Sequence, residues 1–293
     1  MLIGVVTRNP EGWAPQRLAR AAEKLGHIPY LFKFTEIIAK IGFNKPDILV
    51  RGTSLFELGA LIVRPLGRCS LDKAVFRLDL LYALHDSGVK VVNPPSAIEK
   101  AIDKYRALYI LSNKGIPVPR TVVSENPDLA TQEGSRLGKS VVVKPLFGSR
   151  GLGSTRVRDK DTLWRILHAI AYFRFVPYVQ EYLNIKGRDM RLFVIGGEVV
   201  AAMYREHRGH WKTNIAQGAR PIPFKPEPHL EELAIKATEA LGCEIAGVDL
   251  AEVDDKVFVL EVNSQPGWRG LQSVTRVDIA EKIIEYVASE ARR

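Results

Sequence analysis

Cysteine is nearly missing from this chain: Cys69 and Cys243 are the only two in 293 residues. They lie far apart, with no Cys-x-x-Cys or Cys/His ligand spacing, which argues against a disulfide framework and against structural zinc. No apolar stretch reaches the roughly 18 residues of a membrane span. The opening MLIGVVTRNP has no basic leader and too short an apolar run for a secretory signal. Internal repeats and low-complexity tracts are absent. So is any arginine-rich tract or RNP-type aromatic motif, which argues against nucleic acid as a partner. These absences predict a soluble, cytoplasmic, reduced protein that engages neither membrane nor nucleic acid. The composition is that of a globular protein, 46% apolar and 26% charged, at a length that suits about two domains. With 42 basic and 33 acidic residues the net charge is +9. Such an excess suits an anionic partner, or is only a solubilising surface.

The first hundred residues alternate two patterns. LIGVV, IPYLF, DILV, ALIVR and VKVVN read as strands, while APQRLARAAEKLGH and LDLLYALHDSG read as helices. This βαβ rhythm predicts a mostly parallel sheet covered by helices. A break follows at Pro94 and Pro95, where Ser96 and Glu99 have the spacing of a capping box. Asp103 has the place of the next cap, and Gly115 with Pro117 ends that helix. A second block carries strands at RTVV, SVVVKP, STRVR and YVQEYL, with helices between them. The last block is richer in strands, with a Gly-Gly turn in DMRLFVIGGEVVAAMYRE and a closing helix.

Between two strands of the second block lies KPLFGSRGLGS, residues 144–154. Its glycine order, G-x-x-G-x-G, is not the dinucleotide fingerprint, and β-branched STRVR follows instead of a helix. GSRLGKS, at 134–140, is one residue short of a phosphate-binding P-loop and runs into a strand. A strand, a lysine, a glycine loop and a second strand make a hairpin. Such a hairpin either folds its backbone N–H groups over an anion or is a surface turn without a ligand.

The other chemical signal is GVDLAEVDDKVFVLEVN. Glu261 and Asn263 are two apart in a strand and share a face, and Asp249 reaches that face from the neighbouring strand. Three oxygen-bearing side chains on an apolar sheet are costly unless a cation or ion pairs satisfy them. Oxygen-only ligands suit Mg²⁺, which also takes substrate phosphates. A phosphate flap together with such a set points to ATP chemistry.

Taken in order, DKYRALYILSNKGIPVPRT, VVVKPLFGSRGLGS, VQEYL, RDMR, AAMYR, AGVDL and LEVNSQPG resemble the ATP-grasp superfamily, and more narrowly its RimK-type α-L-glutamate ligases. The resemblance covers nearly the whole chain. Within that group AAMYR, WKTNIAQGAR and the tail are most similar to archaeal tetrahydromethanopterin:α-L-glutamate ligases. Lysine-biosynthesis and ribosomal-protein ligases carry arginine where this chain has Gln217. The implied fold is α/β, turning to α+β in the C-terminal half. It is an ATP-grasp fold with an N-terminal Rossmann-like (pre-ATP-grasp) domain. The implied boundaries are 1–97, then 98–183 for a small central domain with the flap, then 184–293 for a domain with the metal ligands.

Carried over residue by residue, the resemblance implies that Lys104 and Lys144 hold phosphates beneath the flap of Gly148, Ser149, Gly151 and Gly153. Glu181 and Tyr182 lie at the adenine hinge, Asp189 at the ribose, and Lys212 and Asn214 at the phosphates. Lysine at 212 keeps the charge of the family's frequent arginine without its fork. Asp249, Glu261 and Asn263 become ligands of Mg²⁺ or Mn²⁺, two ions in all. Arg191 and Arg205 face the acyl phosphate or substrate carboxylates, or form plain salt bridges. Arg64, Arg68 and Arg220 are further candidates for an acidic acceptor. His207 and His210, three apart with no third ligand, read as loop residues. The implied activity is ATP-dependent ligation of L-glutamate to an acidic small-molecule acceptor. Alternatives are a protein or carrier-protein tail as acceptor, and a non-catalytic nucleotide-binding regulator. The resemblance also admits a homo-oligomer, dimer or tetramer.

Overall fold

The computed structural model describes residues 1–67, 69–148 and 151–291. The N-terminal part runs β1 (Leu2–Val6), α1 (Trp13–Lys24), β2 (Ile28–Phe32), β3 (Ile37–Lys40), β4 (Asp47–Val50), β5 (Thr53–Ser54), β6 (Ala60–Val63), α2 (Leu71–Asp86) and β7 (Lys90–Val92). Strands β2-β1-β6-β7 form an all-parallel sheet. It is covered on both faces, which explains why ALIV is buried at every position. Helix α1 turns Leu18, Ala19, Ala21 and Ala22 inward. DILV is a strand but does not join this sheet. It pairs antiparallel with β3 and β5 in a separate small sheet. Its burial alternates, Ile48 and Val50 inward, as expected for a strand with one wet face.

Helices α3 (Pro95–Ile102) and α4 (Lys104–Asn113) follow. The expected capping box at Ser96 and Glu99 does not form: Pro94 is the cap residue and Pro95 opens the helix. Proline's fixed φ supplies the start, and Glu99 instead binds Arg106 and Tyr82. Asp103 does cap α4, accepting from the backbone N–H groups of Tyr105 and Arg106.

Next come β8 (Thr121–Val123), α5 (Pro127–Gly134), β9 (Val141–Val143), β10 (Thr155–Val157), α6 (Lys160–Tyr172) and β11 (Tyr178–Glu181). Their strands make a small antiparallel sheet, ordered β10-β9-β11-β8, with its own core of Ala130, Val143, Leu163, Leu167 and Val179. The last part comprises β12 (Arg188–Ile195), β13 (Glu198–Glu206), β14 (Arg220–Pro223), α7 (Pro228–Leu241), β15 (Ile245–Val253), β16 (Lys256–Asn263), α8 (Arg269–Gln272) and α9 (Ile279–Glu290). Its sheet is antiparallel, ordered β14-β13-β12-β15-β16.

Two packing features join the parts. Ala107, Leu108 and Leu111 of α4 share a core with Leu192, Val248 and Val262 of the last sheet. Helix α9 returns to the N-terminal part, where Ile279, Ile283 and Val287 pack with Leu18 and Ala22 of α1. The junction is locked by Asn93, just past β7 and only 2% exposed. Its amide donates to the carbonyls of Ile245 and Ser264 and accepts from the N–H groups of Glu244 (2.7 Å) and Ile245 (2.8 Å). All four of its hydrogen-bonding positions are thus used to tie the two parts. Among the described residues no helix is long and apolar enough to cross a membrane.

Replacing Asn93 by Ala strands four buried backbone groups. Chemical denaturation is expected to show a loss of about 3 kcal/mol, and melting a fall of several degrees.

Candidate active site

The glycine loop is the connection of a true hairpin, with Thr155 of β10 opposite Val143 of β9. Lys144 leaves β9 with its N–H on the Tyr178 carbonyl (3.1 Å) and its Nζ on Gln180 Oε1 (2.6 Å). Gln180 is buried, and its amide nitrogen donates to Thr121 Oγ1 (2.9 Å). The amide oxygen is thereby aimed at the lysine. Burial pushes the Lys144 amine down to about 8, with Glu261 opposing that fall and Lys104 adding to it. Lys104 opens α4, and its amine is also pushed down, first by burial, with Glu261 and Asp103 opposing.

The lysines reach the flap itself. Lys104 Nζ donates to the Gly148 carbonyl (2.7 Å), and Lys212 Nζ to that of Gly151 (3.2 Å). Gly151 has φ +67°, and a Cβ there would collide with the Asn214 side chain. Glycine is therefore required at the point where flap and loop meet. Ser149 and Arg150, from the same loop, lie outside the described residues, as does Arg68.

On the last sheet, cross-strand register sets the chemistry. Asp189 of β12 lies opposite Arg205 of β13, Arg191 of β12 opposite Asp249 of β15, and Asp249 opposite Glu261 of β16. Arg205 forks onto Asp189 through Nε (2.8 Å) and Nη2 (2.6 Å), and its Nη2 is also 3.0 Å from Asp249. Thr213 adds its hydroxyl to Asp189. Arg191 pairs with Asp249 through Nε and Nη2. Asp189, Arg205 and Asp249 are each less than 5% exposed. Burial alone would lower the Arg205 pKa, but Asp249 and Asp189 outweigh it and hold the guanidinium firmly cationic. Burial pushes the Asp189 carboxyl up against the pull of Arg205. A Cβ at Gly247 would run into the Arg191 guanidinium and Pro266. That glycine is the space in which Arg191 lies.

Asp249 is thus engaged in ion pairs with two arginines, while its Oδ1 has no hydrogen bond of good geometry. Among the described residues Glu261 makes no ion pair, although Lys104 and Lys144 are its electrostatic neighbours. Asn263 donates from Nδ2 to the Gly247 carbonyl at 3.3 Å. Among the described residues no three His, Cys, Asp or Glu side chains form a ready metal cluster. The oxygen set is two carboxylates and an amide, and it needs further oxygens from a substrate to complete a shell.

One cavity gathers most of the expected residues. Lys104, Lys144, Gly148, Gly151, Lys212 and Asn214 line one side, and Asp189, Arg205, Asp249 and Glu261 another. Glu181 and Tyr182 sit at its edge. The Glu181 carboxylate is committed to Arg120, at 2.8 Å and 2.7 Å. Gly153, Arg191 and Asn263 are outside the lining. Sequence reasoning passed over Gln180, Thr213 and Trp211, which line the cavity, and Arg156, whose guanidinium lies 3.6 Å from the Tyr182 ring centre. Gln180 had a readable signal: it alternates with Val179 on a strand whose inward face is otherwise apolar. His207 and His210 pack together, ring centres 5.0 Å apart, and His210 also accepts from the Lys212 N–H and stacks on Trp211.

A parallel-sheet domain, a small antiparallel sheet bearing a glycine flap, and a larger antiparallel sheet bearing paired carboxylates are the parts of an ATP-grasp enzyme. Residues 1–98 match the RimK pre-ATP-grasp domain, and residues 101–287 match the RimK-like ATP-grasp domain. The chain belongs to the RimK-like ATP-grasp family and is an ATP-dependent ligase. It is 32% identical to the tetrahydromethanopterin:α-L-glutamate ligase of Methanosarcina acetivorans, over 97% of this chain and 98% of that one. It is 40% identical to the same-named enzyme of Methanocaldococcus jannaschii, over 80% of this chain and 82% of that one. The solved structure of the ATP-grasp ligase PsnB, complexed with minimal precursor, Mg and ADP, has a TM-score of 0.77 at 21% identity and covers 99% of this chain and 98% of that one.

Arg205→Ala would leave Asp189 and Asp249 buried together without their shared cation. Such a break costs about 3–5 kcal/mol. The Asp189 carboxyl, already pushed up by burial, would then favour protonation, so its folded pKa stands above the unfolded one. Denaturation midpoints are expected to show the deficit at pH 7 and a partial recovery at pH 5.

Proposed function

We propose that this ligase joins L-glutamate to a carboxylate of an acidic small-molecule acceptor, tetrahydromethanopterin or the polyglutamate tail of a coenzyme. The observation that carries this reading is the convergence, around one cavity, of three flap-contacting or buried lysines with the Asp249–Glu261 pair. The names of the curated relatives support glutamate and the acceptor class.

In the proposed reaction an acceptor carboxylate oxygen attacks the γ-phosphorus of ATP, and the bond to ADP breaks. The amine of glutamate then attacks the acyl carbon, phosphate leaves and the amine proton is released. No side-chain nucleophile is needed, so positioning and charge stabilisation carry the chemistry. Lys144, Lys104 and Lys212 take phosphate oxygens. The last two now hold flap carbonyls, so phosphate exchanges one set of acceptors for another while the flap stays over the site and keeps water out. Arg205 and Arg191 hold Asp249 beside Glu261 and add positive field where the acyl phosphate forms. Adenine contact falls to the Tyr182 ring and to Leu183 and Ile185 beyond it, since the N–H groups of Glu181 and Tyr182 are bonded to Arg120 and Ser140. Asp189, forked by Arg205, presents its remaining acceptor capacity to ribose. Hard oxygen donors fit Mg²⁺ or Mn²⁺ at Glu261, Asp249 and Asn263, and two such ions when bound neutralise charge on the transferring phosphoryl group. Localisation in the cytoplasm and a homo-oligomeric state belong to the same proposal. A peptide or protein tail as acceptor is the second reading, favoured by the precursor bound to PsnB.

ADP and phosphate release is expected to require glutamate, an acidic acceptor and a divalent cation, with mass spectrometry showing the glutamate adduct. Glu261→Gln should lower the rate at least about 100-fold without a loss of stability. Unaltered turnover in that variant would remove the metal assignment.

The Lys144 amine, brought down to about 8 in the free protein, should regain its proton on meeting phosphate. Nucleotide binding is therefore expected to take up a proton above pH 8 and to weaken as pH rises through that value. Calorimetry in buffers of different ionisation heat measures the uptake, and Lys144→Arg should abolish it.

A further inference from the structure

The parallel sheet β2-β1-β6-β7 has a topological switch point. From β1 the chain moves one way to β2, and later returns to the other side of β1 as β6. Loops leaving β1 and β6 therefore diverge, and the carboxyl ends of such strands are where open parallel sheets form ligand-binding crevices. Thr7 and Arg64 are the first residues past the two strands, and the Arg64 N–H donates to the Val6 carbonyl at 2.9 Å.

Arg64 is unusual for its place. Its side chain is only 7% exposed, with the guanidinium 4.6 Å from the centre of the Trp268 ring. Among the described residues it makes no ion pair, and its guanidinium has no hydrogen-bond acceptor. Burial pushes its pKa down to about 10 with no carboxylate opposing the fall, so it remains a cation at neutral pH. A buried cation without a partner is costly unless a ligand supplies one. Two further donors, from the loop after β16, also lack acceptors: Gln265 Nε2 and Trp268 Nε1 are buried and unpaired. The oxygen of the Gln265 amide accepts from the Leu66 N–H, which commits the other end of that amide to donate elsewhere. The group consists of donors only, around a planar guanidinium, and this is the recognition chemistry of a carboxylate. Pro266, from the same loop, touches the space beside Gly247 and Arg191, so the crevice adjoins the carboxylate-bearing end of the catalytic sheet.

We propose that the crevice at the carboxyl ends of β1 and β6, closed by the 264–268 loop, binds a non-reacting carboxylate of an acidic substrate through Arg64, Gln265 and Trp268. This deepens the ligase reading and rests on it for the word substrate. The carboxylate belongs either to the acceptor or to the incoming glutamate.

The test follows the Trp268 indole N–H resonance in the ¹⁵N-labelled full chain, assigned by its loss in Trp268→Phe. The probes are L-glutamate and α-linked triglutamate, added separately with ATP and Mg²⁺. A saturable shift with one probe supports the site, and the probe that produces it identifies the source. Arg64→Gln should weaken that binding about ten- to hundredfold, the range for a lost charged hydrogen bond. Arg64→Lys should recover part of it. Gln265→Met provides a second weakened variant if Arg64→Gln does not fold. No shift with either probe in the unmodified protein overturns the proposal, as does a shift of unchanged affinity in Arg64→Gln. Product formation is scored separately. Glutamate ligation without any Trp268 response sinks this site alone, whereas a Trp268 response without ligation sinks the ligase reading alone.

Discussion

The architecture of the site depends on four buried charges that cancel. Asp189, Arg205, Asp249 and Arg191 alternate in sign across three neighbouring strands, each pair set by cross-strand register. A one-residue slip in β12 would send Asp189 and Arg191 to the opposite face, away from Arg205 and Asp249. Such an arrangement adds little net stability compared with well-packed apolar side chains, but partial loss is severe. It therefore specifies register more than it stabilises the sheet. Register in turn decides that Asp249 stands opposite Glu261 at the cavity wall.

The cations outside this set behave differently. Lys104, Lys144 and Lys212 rest on neutral oxygens, two flap carbonyls and one amide. A carbonyl or amide satisfies an ammonium geometrically but leaves most of its charge uncompensated, and burial draws both Lys104 and Lys144 downward. Glu261, the carboxylate that most opposes this fall, cannot balance both. The site thus holds an excess of positive charge in a partly desolvated space, where an anionic ligand gains more than it would in water. The +9 net charge of the chain matters less as a total than as this local surplus.

Much of this was legible in the sequence, for physical reasons that differ by element. The β15–β16 hairpin announced itself by alternation broken at Asp249, Glu261 and Asn263, because inward polar residues stand out against an apolar period of two. The glycine hairpin was legible because Gly148, Gly151 and Gly153 follow a strand and precede one. The parallel sheet was legible from its apolar runs, yet DILV was placed in it wrongly: a four-residue run does not carry its partner's identity. The capping box at Ser96 failed because Pro95 supplied a competing helix start one residue earlier. Ion pairing of Asp249 with two arginines depends on which strands become neighbours, and that is a tertiary fact. Gln180 and Asn93 were missed for a related reason. Each is a single amide whose importance comes from partners distant in the chain.

Asn93 also shows why the loop after β16 matters to both halves of the molecule. The Ser264 carbonyl is held by Asn93, the Gln265 amide by Leu66, and Trp268 lies beneath Arg64, while Pro266 abuts the pocket that houses Arg191. Four residues of the 264–268 segment thus touch either the N-terminal part or the charged sheet. They begin one residue after Asn263. Because the amide of Asn93 is saturated, the Ser264 end of this segment is fixed. Gln265 and Trp268, by contrast, keep buried donors without acceptors. Those donors suit the carboxylate proposed for the N-terminal crevice, and its binding would be felt at Pro266, beside the pocket that houses Arg191.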